Sequence, residues 1–357
     1  MQVRTGIAAV ALTWLAACST PNTSNTSNTP TAPGSRAGAT AAPAELPRET
    51  ADPRLSALLA NQDRVYRVAA PLITKNAPLC KASSRPILGF TAKNKYSYPP
   101  ELTRAAISML KLDDGLQVMH VLDGSGALRA GLRRGDILQT LQEQPLPRGA
   151  QAENEAARIV GPLLKNASDI QVGLLRNGKP LTLQVPLTQA CAFAIDIGHA
   201  PHVNAYGDGR RIMLTQGMLD FLMSDDELAA VLAREIAHNI QKHAATMKLA
   251  ATLGGIIDAL LPLSPDLKPF AGSAGLRAFD DKLDQEADRI ALYLLARAGY
   301  APDAALRALQ KLAQAYPTSV TNGYTALHPW TEERAALMRT TLTEIRQKQA
   351  AKKVLVP

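Results

Sequence analysis

Hydrophobic and polar positions follow four different rhythms along this chain. Behind Arg4, Ile7 to Ala17 is an apolar run of about eleven residues, short of the roughly 20 that a membrane-spanning helix needs, and it predicts the core of an export signal. From Ser19 to Ala44 the rhythm vanishes: Ser, Thr, Asn, Pro, Ala and Gly dominate and Arg36 is the only charge. Such a stretch buries too little apolar surface to offset its chain entropy, so it predicts a flexible tether. Residues 85 to 188 predict short β segments with one helix, bounded by turn formers; Leu116 to Val121 alternates, and Gly124 to Leu138 runs through a helical turn into a strand. Beyond residue 191 the helical period prevails. Asp226 to His243 carries acidic residues in its first turn, and Ala287 to Ala298 stops at Gly299 with Pro302 behind it. Leu249 to Leu263 is apolar but interrupted by Asp258 and Pro262, which predicts a core helix.

Composition narrows the class. With 357 residues, 46% hydrophobic positions and few aromatics, the chain holds about two domains plus linkers and is neither disordered throughout nor multispanning. A net charge of +8 is scattered, with no run of five like charges, so no nucleic acid partner is expected.

Leu15-Ala16-Ala17-Cys18 resembles the lipobox of bacterial lipoproteins. The resemblance implies cleavage after residue 17 and acylation of Cys18, and Ser19 behind it implies the periplasmic face of the outer membrane. Acyl chains hold a protein at a bilayer without a spanning helix. Cys80 and Cys191 then remain, and an even pair in an exported protein predicts a disulfide that clips the two ends of the β-rich segment, two buried free thiols being the alternative.

Two further resemblances carry the function. Gly124 to Leu138, with Val172 to Lys179 as a late strand and turn, is similar to the PDZ domains of bacterial envelope proteases. Ile87-Leu88-Gly89-Phe90 matches the loop whose backbone N–H groups cap a peptide C-terminus in that family. Farther on, Arg234-Glu235-Ile236-Ala237-His238 places residues 234 and 238 one helical turn apart. A zinc helix of the H-E-x-x-H kind holds the metal with those two positions and uses the second residue as general base. Together with Val203 to Tyr206, Gly209 to Ile212, Gly217 to Leu219, Gln285 to Asp288 and His328 to Arg334, this order resembles metallopeptidase family M48 over about residues 55–80 and 191–345.

These resemblances imply an α+β multidomain fold: a mainly α, gluzincin-like metallopeptidase domain with an inserted β-rich PDZ-like domain. The expected partition is a signal peptide at 1–17, a tether at 18–50, an N-terminal helical part at 51–84, the PDZ-like insert at 85–188, the metallopeptidase-like part at 191–345 and a tail at 346–357. They also imply one zinc per chain, with Glu235 as base, His238 and Glu286 as ligands, Asp288 orienting His238, and His328 near the reacting group. Asn204 and Ala205 would lie on the strand along which a peptide extends, and Ile87 to Phe90 would take peptide C-termini. Substrates would be unfolded or misassembled envelope proteins.

Arg234 departs from that pattern. A guanidinium has no lone pair to donate, stays protonated, and places a positive charge where a dication belongs. It can pair instead with Glu286 or Glu235. His243 stands five residues after His238, about 140° around an ideal helix, and should point elsewhere; His328 is the other candidate replacement ligand, provided Arg234 swings outward. Two readings follow: a zinc metalloendopeptidase of envelope protein quality control, or a non-catalytic chaperone or adaptor that keeps the peptide-binding surfaces.

Overall fold

A computed structural model describes residues 52–246, 280–317 and 324–357. The signal and tether with Cys18, and the apolar segment Leu249 to Leu263, lie outside the described residues.

The chain enters through α1 (Pro53–Lys75), started by Asp52, whose side chain accepts from Arg54 N, and by a proline in its first turn. Strand β1 (Ser84–Ile87) pairs antiparallel with β8 (Thr188–Cys191). Cys80 is bonded to Cys191, with Cα atoms 5.4 Å apart. This ribbon and its disulfide join the two ends of the intervening segment.

Within it run β2 (Phe90–Lys93), α2 (Pro100–Leu110), β3 (Gln117–Val121), the one-turn α3 (Gly126–Arg129), β4 (Ile137–Leu141), β5 (Gln144–Pro145), α4 (Ala152–Asn166), β6 (Asp169–Arg176) and β7 (Lys179–Pro186). The antiparallel sheet has the order β2-β3-β4-β6-β7, with β5 on β4. Alternation places Ile170, Val172 and Leu174 of β6 in its core with Val118, Leu138 and Val185. The β6–β7 turn carries positive φ at both Asn177 and Gly178, the backbone that a two-residue hairpin demands. Buried Asp136 accepts from Arg133 N at 2.8 Å and from Arg176 Nε at 2.7 Å, tying the loop before β4 to the end of β6.

The expectation of one helix here is corrected to two long helices and one helical turn. Pro99-Pro100 opens α2, and Leu102 and Ala106, one turn apart, are buried against Leu55 and Leu59 of α1 and Met119 of β3. Thus α1 is shared: its first turns cover the β-rich segment, while Val65 to Ile73 belong to the core of the helical region.

That region begins with β9 (Ala194–Gly198), β10 (Ala205–Gly207) and β11 (Arg211–Thr215), ordered β10-β11-β9. Strands β10 and β11 form an antiparallel hairpin, with Gly209 at φ 90° in its turn. Then follow α5 (Gln216–Phe221), α6 (Asp225–Gln241), α7 (His243–Thr246), α8 (Asp281–Ala298), α9 (Asp303–Ala315), α10 (Tyr324–Leu327) and α11 (Glu332–Ala350). Helix α6 is opened by a reciprocal capping box between Ser224 and Glu227. It is buried on every side from Leu228 to Ile240, surrounded by α1, α8, α9 and the β10–β11 hairpin. Among the described residues, no helix is long and apolar enough to cross a membrane.

Candidate functional site

Helix α6 presents Arg234, Glu235 and His238 inside the protein rather than on a cleft wall: each is 1% exposed. The β10–β11 hairpin lies directly on this helix because position 207 has no side chain; a Cβ there would meet Asn239 Oδ1 at 2.6 Å and the Glu235 carbonyl at 3.1 Å. Asn239 clips the hairpin down, its Oδ1 accepting from Gly209 N at 2.6 Å and its Nδ2 donating to the Arg211 carbonyl at 3.0 Å.

The guanidinium of Arg234 is the centre of the site. Its Nε donates to Asp288 Oδ1 at 2.7 Å, its Nη1 to the Tyr324 hydroxyl at 2.8 Å, and its Nη2 to Asp284 Oδ1 at 2.5 Å. The same Nη2 lies 3.1 Å from His328 Nδ1, which is also 2.9 Å from Asp284 Oδ1. Tyr324 passes the contact on, its hydroxyl donating to Glu235 Oε1 at 2.9 Å. From the other side, buried Arg334 donates to Asp288 through Nε at 2.8 Å and Nη2 at 3.1 Å, and its Nη1 is 3.3 Å from Asp284 Oδ2. Arg334 also holds the turn after α10 by donating to the carbonyls of His328 and Pro329. Three carboxylates and two guanidinium groups therefore share one water-poor volume.

Charge complementarity shapes the proton affinities. Burial works against a charged Arg234, yet Asp284, Tyr324 and Asp288 overcome it and hold its pKa well above the ordinary value. Burial likewise favours a protonated Asp284, but Arg234 and His328 reverse this and keep it ionised far below the usual carboxylate range. Burial pushes the pKa of His238 well down and that of His328 down.

The sequence-predicted residues separate into those brought together and those not. Glu235, His238, Asp288 and His328 meet around Arg234. Glu286 does not: its side chain is 46% exposed, pairs with Gln241, and stands 3.5 Å from His243 Nε2. The physical reason is helical period, since residue 286 lies about 200° around α8 from both 284 and 288, whereas those two are one turn apart. Asp284 takes the inward position, 3.4 Å from His238 Nε2. Asp288, expected to orient His238, instead bridges Arg234 and Arg334. Arg234 pairs with Asp284 and Asp288 rather than Glu286, and Glu235 is 4.0 Å from its Nη1. His243 is corrected too: Lys242 adopts φ 59°, ending the helix, so the chain folds back and puts His243 Nδ1 3.0 Å from His238 Nδ1. Asn204 precedes β10 and Ala205 opens it, both buried, and the other edge of this strand carries no strand among the described residues. In the β-rich segment, Ile87 ends β1, Leu88 and Gly89 form the bend, and Phe90 starts β2. Gly89 has φ 78°, and a Cβ there would meet Ser125 Cβ at 2.6 Å. Asp284 and Tyr324 were missed, Asp284 despite its four-residue spacing from Asp288; Arg334 closes the segment from His328 but was given no role.

His238, Asp284 and His328 have ligand atoms within 4.8 Å of one another, a two-imidazole, one-carboxylate set that zinc accepts in kind. The set does not fit a resident dication, because Arg234 Nη2 is already within hydrogen-bond distance of two of its three members.

The sequence profile of peptidase family M48 matches residues 182–342. The chain is 29% identical over 154 residues to the mitochondrial metalloendopeptidase OMA1 of Arabidopsis thaliana, covering 42% of this chain and 32% of that protein. It is 28% identical over 161 residues to the beta-barrel assembly-enhancing protease of Escherichia coli, covering 40% and 33%. Over 78 residues it is 37% identical to the periplasmic pH-dependent serine endoprotease DegQ of E. coli, covering 22% and 16%. The chain thus spans about a third or less of these relatives' lengths. Among solved structures, the HtrA3 PDZ domain bound to a phage-derived ligand is similar at 16% identity and a TM-score of 0.22, covering 30% of this chain and 88% of that one.

Proposed function

We propose, from the premise that residues 182–342 are a domain of peptidase family M48, that this protein binds unfolded or misassembled envelope polypeptides without hydrolysing them. The observation that carries this reading is Arg234: its guanidinium is bonded to Asp284, Asp288 and Tyr324 at the position where the zinc helix would open to a metal. Glu235, the residue in the place of the general base, has its carboxylate capped by the Tyr324 hydroxyl and is 1% exposed. A general base must reach the proton that it removes, and here one oxygen of the carboxylate is already engaged by Tyr324.

What the fold keeps is recognition. The edge of β10 offers backbone groups to an extended peptide, in the manner of strand addition. The Ile87 to Phe90 bend, followed by β2 at the edge of its own sheet, offers a second place for a chain end. A disulfide between Cys80 and Cys191 suits an oxidising compartment. With the export signal and Cys18, it supports a lipid-anchored protein on the periplasmic face of the outer membrane. The scattered positive charge supports no nucleic acid partner.

One observation favours a second reading, a zinc metalloendopeptidase: the donor atoms of His238, Asp284 and His328 converge within 4.8 Å. The deciding experiment incubates the purified full-length protein with an unfolded outer-membrane β-barrel protein, with and without added zinc or chelator. The expected result is complex formation without cleavage. Chelator-sensitive cleavage by the wild type would establish the second reading.

A further inference from the structure

We infer that the Arg234 guanidinium is a covalently attached substitute for the metal cation, which makes the fold independent of metal and leaves a latent metal site beneath it. This deepens the non-catalytic reading above and rests on it.

The argument starts from charge. Asp284 is 0% exposed and Asp288 and Glu235 are each 1% exposed, and the cations beside them, Arg234 and Arg334, are 1% exposed as well. Removing the Arg234 charge leaves three carboxylates facing one guanidinium in a volume that water does not reach, an arrangement that buried charge does not tolerate. A cation at this place offsets that cost. Position fixes which one: Arg234 Nη2 is 2.5 Å from Asp284 Oδ1 and 3.1 Å from His328 Nδ1, two of the three residues whose ligand atoms converge there. A planar fork does more than a point charge, since Nε and Nη1 reach Asp288 and Tyr324 at the same time. The group thus joins α6 to α8 and to α10, a bridging task that a metal ion performs with ligands from separate helices. Without the side chain beyond Cβ, the imidazoles of His238 and His328 and the Asp284 carboxylate, with ligand atoms within 4.8 Å of one another, form a donor set suited to zinc.

The test is thermal unfolding of the full-length protein and of two variants, Arg234→Ala and Arg234→His, each with chelator and with added zinc. The wild-type midpoint should be the same in both conditions. Arg234→Ala with chelator should unfold about 10 °C lower. Zinc at ~100-fold over its dissociation constant should raise that midpoint by about 5 °C or more, and adding His238→Ala should abolish the rise. Should Arg234→Ala prove insoluble, Arg234→His decides the matter: recovery of folded protein with zinc and not with chelator supports the inference. A wild-type midpoint that moves with zinc or chelator overturns it. So does an Arg234→Ala midpoint equal to wild type, or a failure of zinc to stabilise either variant. If these results hold but the wild type binds no unfolded polypeptide, the non-catalytic binding reading fails and the substitute-cation inference stands.

Discussion

Two ion clusters in this molecule use the same kinds of residue to different ends. Around Arg234, two aspartates, a glutamate, a histidine and a second arginine meet with every side chain 2% exposed or less. At the junction between α1 and the β-rich segment, Asp63 pairs with His120 at 2.6 Å and with Arg134 at 3.2 Å, but Asp63 and Arg134 are 47% and 44% exposed. Solvent reaches Asp63 and Arg134 in the second cluster, whereas the side chains of the first are buried. Exposed pairs contribute about 0–1 kcal/mol, whereas removing one partner of a buried pair costs about 3–5 kcal/mol. The junction is therefore adjustable, and the centre of the helical region is all or nothing.

The sharpest way to break this contrast is Arg334→Leu. It leaves Asp288 with Arg234 alone and frees the His328 turn, so the expected loss is about 3–5 kcal/mol, read by denaturant unfolding; a loss below about 1 kcal/mol would mean the buried cluster behaves like a surface one. Next comes Cys80→Ser. The disulfide closes residues 111 apart in sequence, so opening it should cost about 2–5 kcal/mol, seen as a lower midpoint that reducing agent no longer changes.

Acidification distinguishes the clusters more gently. Burial holds His238 and His328 below the ordinary histidine pKa in the folded protein, so the unfolded chain takes up protons first. Stability should be fully present above about pH 6.5 and fall below it, by up to about 1.4 kcal/mol per pH unit for each histidine. Asp284 is also depressed, and its contribution should disappear only below about pH 4. Midpoints measured between pH 8 and 5 check the slope; a flat profile would show that the imidazoles take up protons in the folded state as they do in the unfolded chain. Smallest is Asp63→Asn, expected to cost about 0.2–1 kcal/mol and to matter less as salt rises, in contrast to a salt-insensitive Arg334→Leu.

Much of the architecture was legible along the chain. Local patterns are written in neighbouring residues: alternation over Leu116 to Val121, the Asn177-Gly178 turn, the acidic start of α6, the Gly299 stop. The helix between β2 and β3 was not read from the chain, although Pro99-Pro100 precedes an i, i+4 apolar pair. Glu286 as a ligand was carried over from the resemblance, and the 100° helical step sets it off the face that Asp284 and Asp288 share. His243 was illegible, because a single left-handed residue at Lys242 redirects the chain, and Lys is not a residue type that announces that conformation.

What the sequence by itself determined is that position 234 donates no ligand atom, because a guanidinium lacks the lone pair wherever it points. Only the tertiary structure decided where it points. Arg234 is paired with residues 50 and 54 positions later on α8 and with Tyr324 and His328 beyond them, and no local pattern encodes which carboxylates from a second helix will face a buried cation. That choice belongs to the packing of α6 on α8, where excluding water makes an unpaired charge too costly and leaves one arrangement that pairs them all.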